Sequence, residues 1–412
     1  MLRLNPFAAL RPAPELADEV SAVPYDVVNT DEARALAEGR PNSFLHVSRS
    51  EIDLPPGTNP YDDRVYAAAA SALKSMVERG ALVREDAPTL YAYRQEATLN
   101  GKHVSQTGIV GCCHIDDYNE NRIKKHEVTR KDKEDDRTRH TMVIRANEPV
   151  FLTYNPQQDL SALTEAVKQT KPLYDFTAPD GVRHTVWSIE DSAPFVAGFA
   201  KLPCAYVADG HHRSASAART GAELRKANPS HTGNEEYNWF LCVLFAADEL
   251  NVLPYHRLVR DLGGLTPEQL LTKLRSVAEV SKTAQPIGEQ PGSFGMFLGG
   301  EWYRVQLPST AIDANDPIRS LDYMLLSDHI LGPLLGIQDL RTDKRIDFVG
   351  GIRGTGELEK RVRSGEHAVA FAMRSTSVEQ VMRVADAGLI MPPKSTWFEP
   401  KLRSGLLVHT LD

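Results

Sequence analysis

The segment YVADGHHRSASA, residues 206–217, connects an apolar run to a stretch of small, helix-forming residues through an Asp-Gly pair. A strand that turns directly into a helix leaves the first N–H groups of the helix without partners, and these groups attract anions. Gly210 allows a bulky group to come close to the backbone, and Arg213 carries a fork of donors that fits a phosphate. The pattern therefore predicts a phosphate-binding turn.

The other polar side chains of this turn have separate predicted roles. His211 and His212 add hydrogen-bond donors, and the small side chains from Ser214 onward let a ligand lie close to the first helical turn. Asp209 would repel a bare phosphate, so we interpret it as a metal contact, a proton acceptor or a ribose partner. Zinc is disfavoured because adjacent side chains diverge, whereas helical zinc ligands are usually spaced i, i+4. The simpler alternative is that the histidines only satisfy local backbone groups.

A second candidate is the charged segment IKKHEVTRKDKEDDR, residues 123–137. Thr129 followed three residues later by Asp132 resembles a capping box, which predicts a helix from Arg130 onward. The basic side chains that would share one face of this helix are Arg130, Lys133 and Arg137. As a charge pattern alone, the segment favours a solvated helix held by i, i+4 ion pairs.

His126 and Glu127 fall in the loop before this predicted helix. A carboxylate held near a basic cluster is suited to act as a general base that activates a hydroxyl. The string HEVTR lacks the second histidine of H-E-x-x-H, so it is not a zinc-protease motif. Both residues are therefore candidate catalytic groups.

The elements around the turn follow from periodicity. The runs LPCAYVA and WFLCVLFAA on either side of the motif predict strand, turn, helix, strand. Residues 62–80 predict a helix capped by Asp62 or Asp63, and TLYAYRQEAT with TGIVGCCHI predicts a hairpin that turns at Asn100 and Gly101. Nearer the start, SAVPYDVV and NSFLHVSR predict strands or strand edges.

A boundary is predicted at LNVLPYHRLVRDLGG, because the chain then starts afresh with a helix over TPEQLLTKLRSVAEV that Thr266 and Glu268 would cap. The predicted domains are therefore residues 1–262 and 263–412. Further helices are predicted at DYMLLSDHILGPLL and SVEQVMRVADAG. Strands are predicted around FGMFLGGEWYRVQL and HAVAFAM.

Composition limits the class of protein. The formal net charge of −8 does not match nucleic acid or an anionic membrane. The cysteines, Cys112, Cys113, Cys204 and Cys242, form no C-x-x-C pair, which argues against a zinc knuckle or a disulfide framework. Because no signal layout and no run of about 20 apolar residues occurs, we expect a soluble cytoplasmic protein with reduced thiols.

The combined motifs HEVT with KEDDR, VADGHHR, LPYHR and MPPKSTWFEPKLRSGL resemble a widespread bacterial and archaeal family long labelled as of unknown function. Its relatives include free serine kinases of the ParB/sulfiredoxin-like group. The resemblance spans nearly the whole chain. It implies an α+β fold, with a ParB/sulfiredoxin-like nucleotide-binding core, an N-terminal elaboration and an additional C-terminal α/β region. It places the nucleotide phosphates at the Gly-x-x-Arg sequence of Gly210 to Arg213, with Ser214 beside it.

The resemblance also implies a reaction, in which a phosphoryl group passes from ATP or ADP, with Mg²⁺, to the hydroxyl of a free amino acid. L-serine would give O-phosphoserine. Glu127 is the first candidate for activating the hydroxyl, Glu134 the second, and Glu51 and Glu32 stay open. Asp209 or Glu127 would hold the metal, and His126 and Asp209 complete the catalytic set. The expected partners are a nucleotide and a small hydroxy amino acid, without membrane or nucleic acid; homo-oligomer formation is left open.

Two other classes of function compete with this interpretation. A ParB-like regulator that binds or hydrolyses a nucleotide would need no acceptor, although no basic recognition helix is evident. A redox enzyme like sulfiredoxin would need a reactive cysteine, and Cys204 falls in an apolar strand. Lys394 follows a proline, and the glycines of a phosphate-binding Walker loop do not precede it. The segment GGIRGTGELEK fits no dinucleotide-binding motif. The residues YHR at 255–257 fit either a domain edge or a functional site.

Overall fold

The computed structural model describes residues 1–340 and 342–412. The chain forms two compact units. The first contains Met1–Thr98, Lys102–Leu250 and Pro400–Asp412, and the second contains Leu99–Gly101 and Asn251–Glu399. Compactness does not show independent folding, so the division into domains 1–262 and 263–412 stays a prediction.

The strands follow one another through both units. They are β1 Leu4–Asn5, β2 Leu10–Pro12, β3 Leu82–Arg84, β4 Leu90–Leu99, β5 Lys102–His114, β6 Ile123–Lys124, β7 Ala146–Asn147, β8 Val150–Tyr154, β9 Tyr174–Thr177, β10 Arg183–Ile189, β11 Ala205–Asp209, β12 Trp239–Ala246, β13 Val252–Leu253, β14 Tyr255–Val259, β15 Glu279–Lys282, β16 Ser293–Leu298, β17 Glu301–Gln306, β18 Ile346–Gly350, β19 Val369–Ala372, β20 Trp397–Phe398 and β21 His409–Thr410.

The α-helices lie between them. They are α1 Ala17–Val20, α2 Thr30–Ala37, α3 Leu45–Ser48, α4 Asp63–Glu78, α5 Ile115–Asn119, α6 Lys131–Ile144, α7 Gln158–Val167, α8 Ala193–Ala200, α9 His211–Ala227, α10 Pro267–Arg275, α11 Asp322–Leu326, α12 Gly332–Leu335, α13 Gly354–Arg363 and α14 Val378–Asp386. The chain therefore has the mixed α and β composition that we predicted, and a ParB/sulfiredoxin-like core stays a prediction.

The large sheet of the first unit has the strand order β6-β11-β8-β12-β5-β4-β10-β9, and β1 pairs with β5. Strand β12 is buried from Phe240 to Ala246 and runs parallel to β8 and antiparallel to β5. A strand that is covered on both faces has apolar residues at consecutive positions, which explains why WFLCVLFAA does not alternate between apolar and polar residues. The predicted order of strand, turn, helix, strand is confirmed as β11, Gly210, α9 and β12.

Helix α4 and the hairpin of β4 and β5 also match their predictions. Asp62 caps α4 by accepting a hydrogen bond from the N–H of Arg64 at 2.9 Å. Asn100 and Gly101, between the two strands, have φ of 50° and 78°. Two consecutive residues with positive φ are typical of the tight turn that Asn-Gly favours.

The predictions for two N-terminal runs were wrong. SAVPYDVV forms turns, apart from an isolated bridge between Ala22 and Ser404, and Pro24 removes one of the N–H groups that a ladder would need. NSFLHVSR contains the short helix α3, in which Leu45 and Val47 are buried in a core cluster with residues of α4. Packing against other elements overrides the strand propensity of the run.

Helix starts also differ from expectation. Helix α6 begins at Lys131, and its N-cap residue Arg130 makes no side-chain cap. Thr129 instead donates its hydroxyl to Glu134 Oε2 at 2.9 Å. In α10 the capping box of Thr266 is completed by Gln269, which stands at the required third helical position, and not by Glu268.

The second unit has its own sheet, with the order β15-β17-β16-β19-β14-β18, and its own hydrophobic core. The predicted helix over DYMLLSDHILGPLL is divided into α11 and α12 by a π-helical turn at Ser327–Leu331. Pro333 lacks an N–H, so the regular i to i−4 bond cannot form there. The π turn accommodates this, since Gly332 donates to the carbonyl of Ser327, five residues back.

Candidate functional site

The turn between β11 and α9 depends on Gly210. This residue is the N-cap of α9 and has φ 90° and ψ 35°, a left-handed conformation that favours glycine. A Cβ at this position would lie 3.1 Å from Arg213 Nε. Among the described residues, the N–H groups of His211, His212 and Arg213 have no hydrogen-bond partner. These donors therefore stand unsatisfied at the positive end of a 17-residue helix.

Arg213 lies beneath the turn, with 6% of its surface exposed. Its Nη1 donates to the Pro149 carbonyl at 2.5 Å, and its Nη2 is 3.7 Å from Asp209 Oδ2. Its buried Nε has no partner in the described part of the chain. Burial alone would lower the pKa of Arg213, but the negative charges of Asp26 and Asp209 raise it. The guanidinium is thus charged and retains an unused donor.

Asp209 lies between two cations. Its Oδ2 is 3.2 Å from Lys401 Nζ, in addition to its contact with Arg213. Burial alone would raise the pKa of this carboxyl, but the charges of Lys401 and Arg213 lower it. A magnesium ion prefers a carboxylate that is open to it and to its waters. Because Asp209 is already occupied by an ammonium group, this arrangement does not fit the predicted metal ligand.

His126 and His211 form a buried pair. Their rings meet edge to face with centroids 4.4 Å apart, and the N–H of His126 donates to His211 Nε2 at 3.5 Å. Burial lowers the pKa of His126 to about 4 and that of His211 well below its ordinary value. Both rings are therefore neutral near pH 7. Glu127 lies beside them, with Oε2 3.8 Å from His211 Nδ1.

His212 and Ser214 serve the local structure. His212 is half-buried, and its Nε2 accepts a hydrogen bond from the N–H of Arg130 at 3.0 Å, which ties the start of α6 to the start of α9. Burial lowers the pKa of His212. The Ser214 hydroxyl donates to the carbonyl of Gly210 at 3.1 Å. The structure thus uses both side chains to hold the turn.

The three basic residues predicted to share a face of α6 lie in different environments. Arg130 is exposed and paired with Asp132 at 2.7 Å. Lys133 Nζ donates to the Tyr61 hydroxyl at 2.8 Å. Arg137 is largely buried and stacks over Tyr25, with its Cζ 4.2 Å from the ring centroid. Of the three, Lys133 and Arg137 line a pocket.

This pocket, which we call the N-terminal pocket, has a volume of about 310 Å³. Its polar lining includes Tyr25, Arg49, Glu51, Tyr61, Lys133 and Arg137. Glu51 is 4% exposed, pairs with Arg49 at 2.8 Å and accepts the Thr30 hydroxyl at 3.2 Å. Within the described ranges, Arg49 Nε and Arg137 Nη1 are buried without a partner. Unpaired buried donors of this kind are satisfied by a ligand or by water.

Arg137 also lines a second cavity of about 20 Å³, which Glu148 and Arg213 border as well. This volume is about that of a single water molecule. Arg137 and His140 line both cavities, so the N-terminal pocket adjoins the cavity that Arg213 borders. Of the four predicted glutamates, Glu51 lines the pocket. Glu32 Oε2 instead accepts from the Asn29 N–H at 2.8 Å and caps α2.

Several of these residues were missed at the sequence level. The Pro-Tyr-Asp turn that contains Tyr25 has a turn signature that could have marked it. Lys401 belongs to the motif MPPKSTWFEPKLRSGL, but its contact with Asp209, 192 residues away, has no local signal in the sequence. Arg49 and Glu148 look like ordinary charged residues in the sequence.

Outside the turn and the N-terminal pocket, the described residues include a group of close acidic and histidine side chains and several buried thiols. In residues 1–340 and 342–412, the His, Cys, Asp or Glu side chains that lie close enough together to hold a metal ion are Asp347, Glu366 and His367. Arg260 already pairs with Asp347 at 2.6 Å. Burial raises the pKa of Cys112.

None of the described helices combines the length and apolar character that crossing a bilayer requires.

The family described as "Protein of unknown function (DUF1015)" matches residues 4–324 of the chain. No curated protein matches the sequence.

Several solved structures overlap with the fold at low similarity, each at 12% identity over 73% of this chain. A conserved hypothetical protein from Pyrococcus furiosus gives a TM-score of 0.34 over 95% of its length. A free serine kinase in complex with AMP gives 0.34 over 92%, and SbnI with C-terminal truncation from Staphylococcus aureus gives 0.39 over 87%. These TM-scores do not establish a common fold, so the chemistry has to be argued from this chain's own residues.

Proposed function

This chain belongs to the DUF1015 family of proteins of unknown function, and from its own site we propose that it is a nucleotide-dependent small-molecule kinase. It would transfer a phosphoryl group from ATP or ADP to the hydroxyl of a free amino acid such as L-serine. The observation that carries the proposal is the start of α9, where three N–H groups have no partner among the described residues and the buried cation Arg213 belongs to the same helical turn.

The phosphates of the nucleotide bind at this helix start. The N–H groups of His211, His212 and Arg213 supply donors, and the helix dipole favours negative charge. Arg213 and Lys401 lie on either side of Asp209 and provide positive charge. Phosphoryl transfer needs positioning and charge neutralisation more than covalent chemistry, and these groups supply both.

The acceptor occupies the N-terminal pocket, which shares Arg137 and His140 with the cavity that Arg213 borders. The unpaired donors of Arg49 and Arg137 suit a carboxylate, and the buried carboxylate of Glu51 is placed to accept a proton from a hydroxyl. Glu127, our first sequence candidate, lies beside the turn and half-exposed instead. We therefore assign hydroxyl activation to Glu51. No step is assigned to magnesium, since Asp209 is held by Lys401.

Product analysis tests the reaction. Purified protein is incubated with ATP or ADP and a panel of amino acids, and phosphorylated products are measured by mass spectrometry. Phosphoserine formation supports the proposal. Nucleotide hydrolysis that no acceptor changes would overturn the kinase and favour a nucleotide-switched regulator. Absence of nucleotide binding would overturn both.

Two substitutions test the assignment of the base. Glu51→Gln should lower turnover by about 100-fold or more, the usual effect of losing a general base, with nucleotide affinity unchanged. Glu127→Gln should leave turnover within a few-fold of the natural protein. The reverse result would return the role to Glu127. Thermal unfolding of both variants checks that the ion pair of Glu51 with Arg49 is not needed for folding.

Arg213→Ala tests the phosphate site, because loss of its charge should weaken nucleotide binding at least 10-fold. Arg219→Ala is the matched control, since Arg219 stands on the same helix but is exposed and paired with Asp135 and Glu223. Binding is measured by calorimetry. Equal affinities of the two variants would contradict the assignment.

A further inference from the structure

Arg257, on β14 of the second unit, is a buried cation that pairs with no acidic side chain among the described residues. It is 2% exposed, and in the part of the chain that the structure describes, no carboxylate lies within ion-pair distance. Its Nη1 donates to the Tyr255 carbonyl and its Nη2 to the Lys394 carbonyl, the latter at 3.2 Å. Its buried Nε has no partner among the described residues. The guanidinium is thus held by neutral oxygens and keeps a free donor.

This arrangement is costly for a structural arginine. Burial lowers the pKa of Arg257 to about 10, which reports how poorly its charge is compensated. Its Cζ lies 5.6 Å from the ring centroid of Tyr323 and 5.4 Å from that of Phe348, so cation–π attraction offsets part of the cost. An apolar side chain of similar volume would pack among these rings without that cost.

The segment 392–396, which we call the strap, contributes a neutral oxygen to Arg257. Lys394, in the middle of the strap, has φ 62°, a left-handed conformation that is strained for a residue with a Cβ. Its carbonyl contacts Arg257, while its ammonium group lies 5.3 Å from the ring centroid of Tyr255. Pro393 and Lys394 are exposed. The carbonyl of a strained, exposed residue thus occupies a position at which a negatively charged oxygen would bind Arg257 more strongly.

We propose that Arg257 is the recognition residue of a second ligand site, at which a small oxyanion, a carboxylate or a phosphate group, replaces the carbonyl of Lys394. The anion binds Nε and Nη2 of Arg257 side by side, in the geometry in which arginine recognises such groups. Displacement of the strap relieves the backbone of Lys394 and leaves its ammonium group near the bound anion. The motifs LPYHR and MPPKST supply the residues of this site. It does not depend on the proposed kinase activity.

Anion titrations of the full chain test the proposal. Inorganic phosphate and acetate are titrated separately by calorimetry at constant ionic strength, with glycerol as a neutral control. The natural protein and Arg213→Ala should both bind one of the anions, and Arg257→Met should lose that binding at least 10-fold. Arg260→Met is the matched control, because Arg260 lies just beyond the same strand but is exposed and paired with Asp347.

Two further variants test the role of the guanidinium fork and of the strained strap. Arg257→Lys retains the charge and loses the fork, so it should fold and bind at least 10-fold more weakly even if Arg257→Met does not fold. Lys394→Gly removes the strain of the closed strap and should weaken anion binding several-fold. Undiminished binding by Arg257→Lys or Arg257→Met, or no binding by the natural protein, would overturn the proposal. Comparison of the phosphate and acetate titrations identifies the oxyanion, and the Arg213 variant separates this site from the turn.

Discussion

At the scale of single residues, Gly210 determines whether the turn can exist. Its φ of 90° excludes most side chains, and the guanidinium of Arg213 occupies the space that a Cβ would need. The two requirements are independent, because one concerns the backbone and the other a close approach. Glycine at this position therefore supports both the left-handed turn and the placement of the cation beneath it.

Gly210→Ala should destabilise the protein by about 1–3 kcal/mol, the range for a non-glycine residue held in a left-handed conformation, with crowding against Arg213 placing it at the upper end. Gly80→Ala is the matched control, since Gly80 has φ 75° but nothing within 4 Å of its Cβ position. The free energies of unfolding are compared by urea denaturation. Equal losses in the two variants would show that the contact with Arg213 is relaxed without cost.

At the scale of secondary-structure elements, α6 and α9 pack against each other and hold the site, and α6 is fixed by buried polar groups. His140, on α6, is 4% exposed, and its Nε2 hydrogen-bonds to the Val47 carbonyl of α3 at 2.9 Å. Because the carbonyl oxygen can only accept, Nε2 carries the hydrogen and donates the bond. Helix α6 is tied at its other end by the contact between Arg130 and His212.

The burial of His140 makes the stability of the protein depend on pH. Burial lowers the pKa of His140 to about 3, below its value of about 6.5 in the unfolded chain. The unfolded state therefore takes up the proton first, so stability is complete above about pH 6.5 and falls as the pH drops toward 3. By pH 5 the loss should be roughly 2 kcal/mol. His140→Gln should remove this part of the pH dependence in urea titrations, whereas His103→Gln, at an exposed position, should leave it unchanged.

What the sequence predicts at this scale is the local geometry. The Asp-Gly pair after an apolar run marks the turn at Gly210 because strand, positive φ and helix follow one another within a few residues. The inward contact of Arg213 with the Pro149 carbonyl has no local signal in the sequence, because Pro149 lies 64 residues away. The local signal is misleading for Leu45 and Val47, which stand in a strand-like run but are buried in a short helix together with residues of α4.

At the scale of the whole molecule, the second unit is inserted into the first along the chain. Residues Pro400–Asp412 return to the first unit, where His409 pairs with Asn147 and Lys401 contacts Asp209. In the second unit, β13 and β20 pair antiparallel, with Val252 opposite Phe398. Opposite residues in such a pair are about 5 Å apart, so the chain leaves and re-enters the first unit at neighbouring points.

Replacement of Asn251–Glu399 by a short glycine-rich turn should therefore leave a first unit that unfolds cooperatively, because few residues are needed to join its two ends. Deletion of residues 400–412 should destabilise the protein by several kcal/mol, since it removes β21 and the cation that pairs with the partly buried Asp209. Thermal unfolding followed by circular dichroism distinguishes the two variants. A first unit that fails to fold after the replacement would show that it needs the inserted residues.

The return of the chain at Pro400 also fixes the order in which the site is completed during translation. Asp209 leaves the ribosome before Asn251–Glu399, and Lys401 leaves after it. A nascent chain that still ends within the second unit carries the carboxylate of Asp209 without its ammonium partner. The signals for the turn at Gly210 are local, but the charge balance that Lys401 provides is reached only after residue 401 has been synthesised. The proposed phosphate site is therefore completed only after the whole inserted unit has left the ribosome.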